Sequence, residues 1–208
     1  MPTLLQLDSS ADLVSSRSRA ITAAFADAWR EGGGDVLVRD LHRHPLPHLA
    51  TPAQHWPVGM RTEAVPAELD AVQQEVLEQL FAADVVLIGA PMYNYSMPAV
   101  LKNWIDLIHV PGITAAFDAD TQPMRGRAAV IVTSRGAVYD AGTPTEGWDH
   151  VVPPLRLVLG DSLGMNVHVI TTSRTLADFL PAMAPERPQA EAELAAALAE
   201  ARALATSL

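Results

Sequence analysis

The chain of 208 residues carries 14 basic and 24 acidic side chains, a net charge of −10, with 49% apolar and 18% charged residues. At roughly 100–200 residues per domain this predicts one folded domain over residues 1–208, and the acidic balance repels a phosphate backbone, so nucleic acid is not the expected partner. The absence of cysteine removes disulfides, thiolate nucleophiles, Fe–S clusters and Cys-zinc sites together, so any redox chemistry needs a bound cofactor.

Met1-Pro2-Thr3 has no basic leader, Gln6 and Asp8 interrupt the first apolar stretch, and no apolar run reaches the ~18–20 residues of a membrane span. The expected location is cytoplasmic, away from the membrane. Leu4 to Leu7 read as a strand, and Arg17 to Arg30 as a helix with Ala20, Ile21, Ala24, Phe25 and Trp29 in a stripe. Gly32-Gly33-Gly34 ends that helix, Val36 to Val38 form the next strand, and 42–62, with Pro45, Pro47, Pro52 and Pro57, read as a surface loop. A helix follows from Pro66 to about Ala83, then Val85 to Ile88, a continuous apolar run typical of a strand buried on both faces. Strands are expected at Ala128 to Val132 and Val167 to Ile170, with helices near 97–109, 149–163 and 183–205. Such βα alternation predicts a doubly wound, five-stranded parallel sheet with helices on both faces and a ligand at the carboxyl ends of the strands.

Three polar loops follow three of these strands and converge on one edge. Ser9-Ser10 and Ser15-Ser16-Arg17-Ser18 gather hydroxyls, a guanidinium and helix-terminal N–H groups suited to a phosphate monoester, although a single such serine would be an ordinary helix cap. Pro91-Met92-Tyr93-Asn94-Tyr95 mixes apolar, aromatic and amide groups that suit a planar heteroaromatic ring; taken alone it is equally a core-covering turn. Thr133-Ser134-Arg135-Gly136-Ala137 sets a glycine where backbone can approach a flat ring.

These loops, with Leu101-Lys102-Asn103-Trp104-Ile105-Asp106 and the Asp40-Leu41 to Pro45-Leu46-Pro47 loop, resemble the FMN-dependent azoreductases of the flavodoxin-like quinone reductase superfamily. The resemblance implies strand order 2-1-3-4-5, a noncovalent FMN, NADH or NADPH as donor, a quinone or azo compound as acceptor, and a homodimer with each flavin near the subunit interface. It assigns cofactor contacts to Ser9, Ser16, Arg17, Ser18, Pro91, Met92, Tyr93, Asn94, Tyr95, Ser134, Arg135, Gly136 and Ala137, with no catalytic side chain. Phe117, Asp161 and Ser162 fall at the acceptor pocket, and His150 is a candidate proton donor. The sequence departs from the family pattern at Ala137, which replaces a glycine, at Ala115 and Phe117, in a shortened insertion after Phe117, and at Asp161-Ser162 in place of an aromatic. The apolar residues Val100, Leu101, Trp104, Ile105, Leu107 and Ile108 exceed what one sheet face uses, which argues for a dimer. A pathway-specific flavin reductase and a flavodoxin-like electron carrier remain alternatives.

Other motifs carry less. Gly160-Asp161-Ser162-Leu163-Gly164 satisfies the G-x-S-x-G pattern, but a helix is expected before it and a strand after it, the reverse of a nucleophile elbow. Gly142 to Gly147 lacks the lysine of a phosphate-binding loop, since Trp148 follows. His42, His44, His48 and His55 read as surface histidines, and no metal is expected.

Overall fold

The computed structural model describes residues 1–117 and 122–208. Five parallel strands, β1 (Thr3–Asp8), β2 (Asp35–Asp40), β3 (Val85–Gly89), β4 (Ala128–Ser134) and β5 (Asn166–Thr172), form one sheet in the order β2-β1-β3-β4-β5. The expected topology is therefore present. Successive residues of a strand face opposite sides of the sheet, so Val86 and Ile88 enter one core while Val85 and Leu87 enter the other. Helices α1 (Arg17–Glu31) and α5 (Arg187–Ser207) cover the second core. Helices α2 (Ala67–Ala82), α3 (Ala99–Ile108) and α4 (Val152–Leu155) cover the first.

Local chemistry sets the ends of these elements. Ser16 caps α1 by accepting from the Arg19 N–H, and at the other end Gly33 takes a left-handed φ of 88°. A Cβ at Gly34 would lie 2.1 Å from Trp29 Nε1, whose N–H donates to the Asp35 carbonyl. Only glycine lets the chain turn under this indole into β2.

Several expectations need correction. The helix expected over 149–163 is a single α turn at its start, with Pro153 and Pro154 inside it, and continues as a π-helix over Arg156–Ser162. The helix expected from 183 begins as a 3-10 segment, Pro181–Glu186. The proline-rich loop is partly internal: Asn103 Nδ2 donates to the carbonyls of Leu46 and Pro47 at 2.8 and 2.9 Å, and Gln54 is buried. The apolar surplus of α3 is absent, because Leu101, Trp104, Ile105, Leu107 and Ile108 are all buried within the chain. Its composition therefore gives no argument for a dimer. The shortened insertion after Phe117 falls at 118–121, outside the described residues. No helix among the described residues is long and apolar enough to cross a membrane.

Candidate functional site

A parallel sheet delivers the chain to the same edge after every strand. At that carboxyl edge lies a cleft of about 400 Å³, bounded by Ser10, Asp12, Ser15, Ser16, Arg17, Pro91, Tyr93, Ser134, Thr175, Asp178 and Phe179. Its floor comes from β1, β3 and β4, and α1 points its N-terminus into it.

Counting hydroxyl hydrogens sorts the serines. Ser9 is buried and donates its single hydroxyl hydrogen to the Gly89 carbonyl at 2.6 Å, so it ties β1 to β3. Ser15 donates to Asp12 Oδ2 at 2.6 Å, and Ser10 shares a 3.1 Å bond with the Tyr93 hydroxyl. Ser16 and Ser18 lie 3.1 Å apart, Ser18 is fully buried, and Ser16 Oγ also accepts from the Arg19 N–H. Of the two hydroxyls, that of Ser16 borders the cleft, while Ser18 lies beneath it. The first-turn N–H groups of Arg17 and Ser18 have no partner within the helix. Together these donors and the positive end of α1 could hold an anion.

Arg17 lines this cleft, but its guanidinium is spent elsewhere. It donates to Asp178 Oδ2 at 2.8 Å and to the Ala190 carbonyl at 2.9 Å. Arg135 is likewise buried: it bonds Ser173 Oγ at 2.9 Å and Asp140 at 2.8 Å, with Asp149 at 3.6 Å. Neither guanidinium offers a free fork to a ligand, which corrects the reading of Arg17 as a phosphate partner through its side chain. Gly136 also has a different reason from the one expected. A Cβ there would lie 3.0 Å from Leu176 Cδ1, so the missing side chain makes room for leucine. Ser134 lines the cleft, and Ala137 is half-buried beyond it.

The loop after β3 closes as a tight hairpin. Tyr93 N donates to the Ser96 carbonyl at 2.9 Å and Ser96 N returns a bond at 3.1 Å, with φ of 49° at Asn94 and 70° at Tyr95. Two positive φ angles define a type I′ turn, for which asparagine is well suited; tyrosine at such an angle costs about 1–2 kcal/mol. That strain is held from outside. The Tyr95 ring meets Trp148 and Tyr139 edge-on at centroid distances of 5.5 and 6.3 Å, and the Tyr95 carbonyl accepts from the His150 N–H at 2.9 Å. His150 thus braces the hairpin through its backbone. Tyr93, Asn94 and Tyr95 are exposed, whereas Met92 packs partly into the core.

Two carboxyl groups at the carboxyl ends of β1 and β2 titrate in opposite directions. Burial pushes Asp8 up, against hydrogen bonds from Thr22 at 2.8 Å and Gln6 at 2.9 Å and the charge of Arg19. Burial also acts on Asp40, but the Arg19 guanidinium and the N–H groups of Arg43 and His42 outweigh it and hold the carboxyl at about 2. Arg19 bonds both Asp40 oxygens and the Ser10 carbonyl, so the pair anchors the serine loop. At Asp12 the Ser15 hydroxyl, then the Ser15 and Val14 N–H groups, lower the carboxyl.

The three expected acceptor-pocket residues do not reach this cleft. Asp161 and Ser162 precede β5: Gln122 Nε2 donates to both their carbonyls, and Ser162 Oγ lies 2.8 Å from His109 Nε2. They stand at the amino edge, about 20 Å from the cleft at 3.3 Å per strand residue, and this placement overturns the pocket reading within one chain. Phe117 packs edge-on against Trp56 at 5.3 Å, also outside the cleft. Because a helix precedes Ser162 and a strand follows it, the G-x-S-x-G segment is no nucleophile elbow. Conversely, Asp12 in the loop after β1 also lines the cleft, and so do Thr175, Asp178 and Phe179 without any sequence signal, since the contribution of these three arises only when β5 returns beside β4.

Topology and cleft define a flavodoxin-like α/β protein. A family model described as flavodoxin-like fold matches residues 2–204, and the chain belongs to that family. The FMN-dependent NADH:quinone oxidoreductase of Kineococcus radiotolerans is 58% identical over 212 residues, covering all of both chains. That of Streptomyces coelicolor is 39% identical over 211 residues, covering 97% of this chain and 92% of its own. Among solved structures, an azoreductase from Bacillus anthracis superposes with a TM-score of 0.84 at 21% identity over the whole of both chains. An FMN-dependent NADH-azoreductase from the same species, in complex with FMN, gives 0.79 at 18% identity, covering 100% of this chain and 99% of its own. At such identities the structures share the fold.

Proposed function

We propose that this protein is an FMN-dependent NADH:quinone oxidoreductase. The observation that carries the reading is the cleft in which the N-terminus of α1 with Ser16, a strained hairpin and the end of β4 meet. The full-length relatives that bear this name support it. Cleft and flavin fit in size and chemistry: an anion site sits at one end, and an aromatic and amide hairpin lies at the other. When bound, FMN supplies two-electron chemistry, accepting hydride from NADH and passing reducing equivalents to a quinone. Ser16 and the N–H groups of Arg17 and Ser18 hold the phosphate monoester. Asn94 and the exposed tyrosines of the hairpin border the ring, while Trp148 and Tyr139 keep Tyr95 in its strained place. No side-chain nucleophile is needed.

A flavin resting on these loops at the edge of the sheet would offer one ring face, so donor and acceptor would use that face in turn. Near-attack geometry of about 3–3.5 Å forbids both at once. Initial rates with NADH and a quinone should give parallel reciprocal plots; intersecting lines would refute the shared face. Azo compounds are a second acceptor class, carried by the resemblance and by fold alone. We also read the chain as a cytoplasmic homodimer, for which the half-exposed Trp148 and the exposed Leu157 remain as apolar surface. A monomer in light scattering at micromolar concentration would contradict the dimer. The test of the central reading is an absorption spectrum of purified protein: flavin bands are expected, with FMN released by heat, and steady NADH oxidation with menadione. Colourless protein that cannot be reconstituted with FMN overturns the assignment.

A further inference from the structure

We propose that the turn Thr175–Phe179, which follows β5, is part of the flavin site: it walls the cleft opposite the serine loop, with Phe179 as the cover and Arg17 as the pin. The proposal rests on the FMN reading above and adds residues that neither the loop motifs nor the relatives' names assign.

The cleft has two walls from distant parts of the chain, Ser10 to Arg17 on one side and Thr175, Asp178 and Phe179 on the other. Arg17 joins them. Its side chain is 7% exposed, and it holds Asp178 at 2.8 Å while a second nitrogen bonds the Ala190 carbonyl at the start of α5. A bare carboxylate on this wall would repel a phosphate, and pairing with a buried guanidinium cancels that field. The turn is also stitched to the loop after β4. Thr175 N donates to the Arg135 carbonyl at 3.1 Å, Leu176 N reaches the Gly136 carbonyl at 3.3 Å, and the Leu176 side chain occupies the space that a Cβ on Gly136 would need. Arg187 Nε fastens the Ala177 carbonyl at 2.8 Å.

On this fixed turn Phe179 is 68% exposed at the cleft. Lone exposed apolar residues are ordinary on a protein surface. A phenyl group carried on a fastened turn that lines the cleft differs, because a ligand filling the cleft would bury it. Thr175 adds a hydroxyl to the same wall. The geometry therefore assigns this turn to retention of the flavin, and Arg17 acts as a positioning residue.

Release of FMN from the holoprotein, followed by the rise of flavin fluorescence on dilution, tests this. Phe179→Ala should speed release about tenfold, a conservative value for losing a buried aromatic contact, and Phe179→Tyr should restore it. Asp178→Ala should speed release several-fold, with partial rescue by Asp178→Glu. Circular dichroism confirms that each variant is folded. Release rates unchanged in both alanine variants, with FMN bound by the wild type, would overturn this proposal and leave the flavin reading intact. Failure of the wild type to bind FMN would overturn both.

Discussion

The carboxyl and amino edges of the sheet are made by the same five strands, yet the two edges are built from different materials. At the carboxyl edge stand two non-glycine residues with positive φ in succession, a raised and a lowered carboxyl one strand apart, and a cluster of hydrogen-bonded serines. At the amino edge the chain is closed by backbone pairing, with Gly126 N on the Gly164 carbonyl and Asn166 N on the Arg127 carbonyl, both at 2.9 Å. The lesson is that strain and buried charge gather where loops must hold a cleft open, while the opposite edge simply seals the core.

The largest expected effect lies in cofactor binding. Ser16→Ala combined with Ser18→Ala should weaken FMN by roughly 1–3 kcal/mol, about 5- to 150-fold in Kd, because a charge-assisted hydrogen bond is lost. The same two-site change at the other edge, Asp161→Ala with Ser162→Ala, should leave the FMN Kd within about a factor of two, the scale of surface effects. Equal losses from the two pairs, measured by fluorescence titration, would erase the contrast between the edges.

Next comes the floor of the cleft. Gly89 ends β3, and a Cβ there would lie 2.9 Å from Asp8 Oδ1 and 3.3 Å from Thr22 Cγ2. Gly89→Ala should destabilise the fold by about 1–3 kcal/mol through overpacking, read as a lower midpoint in urea. Gly126, by contrast, has a left-handed φ of 80°, and a Cβ there would meet no atom within 4 Å. Gly126→Ala should cost only backbone strain, about 1–2 kcal/mol. A larger loss at Gly126 would mean that steric fit matters less at the cleft than argued.

The third contrast is one of pH. The folded pKa of Asp40 lies near 2, below the ordinary 3.8. Its contribution to stability is therefore complete above the ordinary value and is lost as pH falls through the folded one. The gap in thermal midpoint between wild type and Asp40→Asn should be widest at pH 6 and narrow steadily from about pH 4 toward pH 2. Asp8 works against it: its raised pKa means that ionisation costs stability, a cost that grows as pH rises above the ordinary carboxyl range. A gap independent of pH would show that Asp40 acts by shape alone.

The smallest effect belongs to the hairpin. Asn94→Gly relieves a φ of 49° and should change stability by less than about 1 kcal/mol, since asparagine already tolerates this region. Trp148→Ala should loosen the brace on Tyr95, lowering the midpoint slightly in the absence of ligand. No change in proteolytic sensitivity of the hairpin after that substitution would argue that backbone bonds from His150 suffice.

The chain order of strands and helices was legible from the start because apolar runs and helical stripes are local. The run Val85 to Ile88 announces a strand buried on both faces, and Ser16 announces a cap. The serine cluster and the Tyr93-Asn94 loop were legible for the same reason, since each follows its strand directly. Side-chain direction was not legible. The guanidiniums of Arg17 and Arg135 turn to Asp178 and Ser173, residues far along the chain, and the hydroxyl of Ser9 is consumed by the neighbouring strand. Asp161 and Ser162 look like pocket residues by alignment alone, yet they precede their strand and so land on the wrong edge. The sequence by itself determined the class of fold, the serine cluster after β1 and the need of any redox chemistry for a cofactor. The tertiary structure decided which hydroxyls are already bonded, which charges are already paired, and that Thr175 to Phe179 wall the cleft, because those depend on contacts made only when β5 and α5 close against α1.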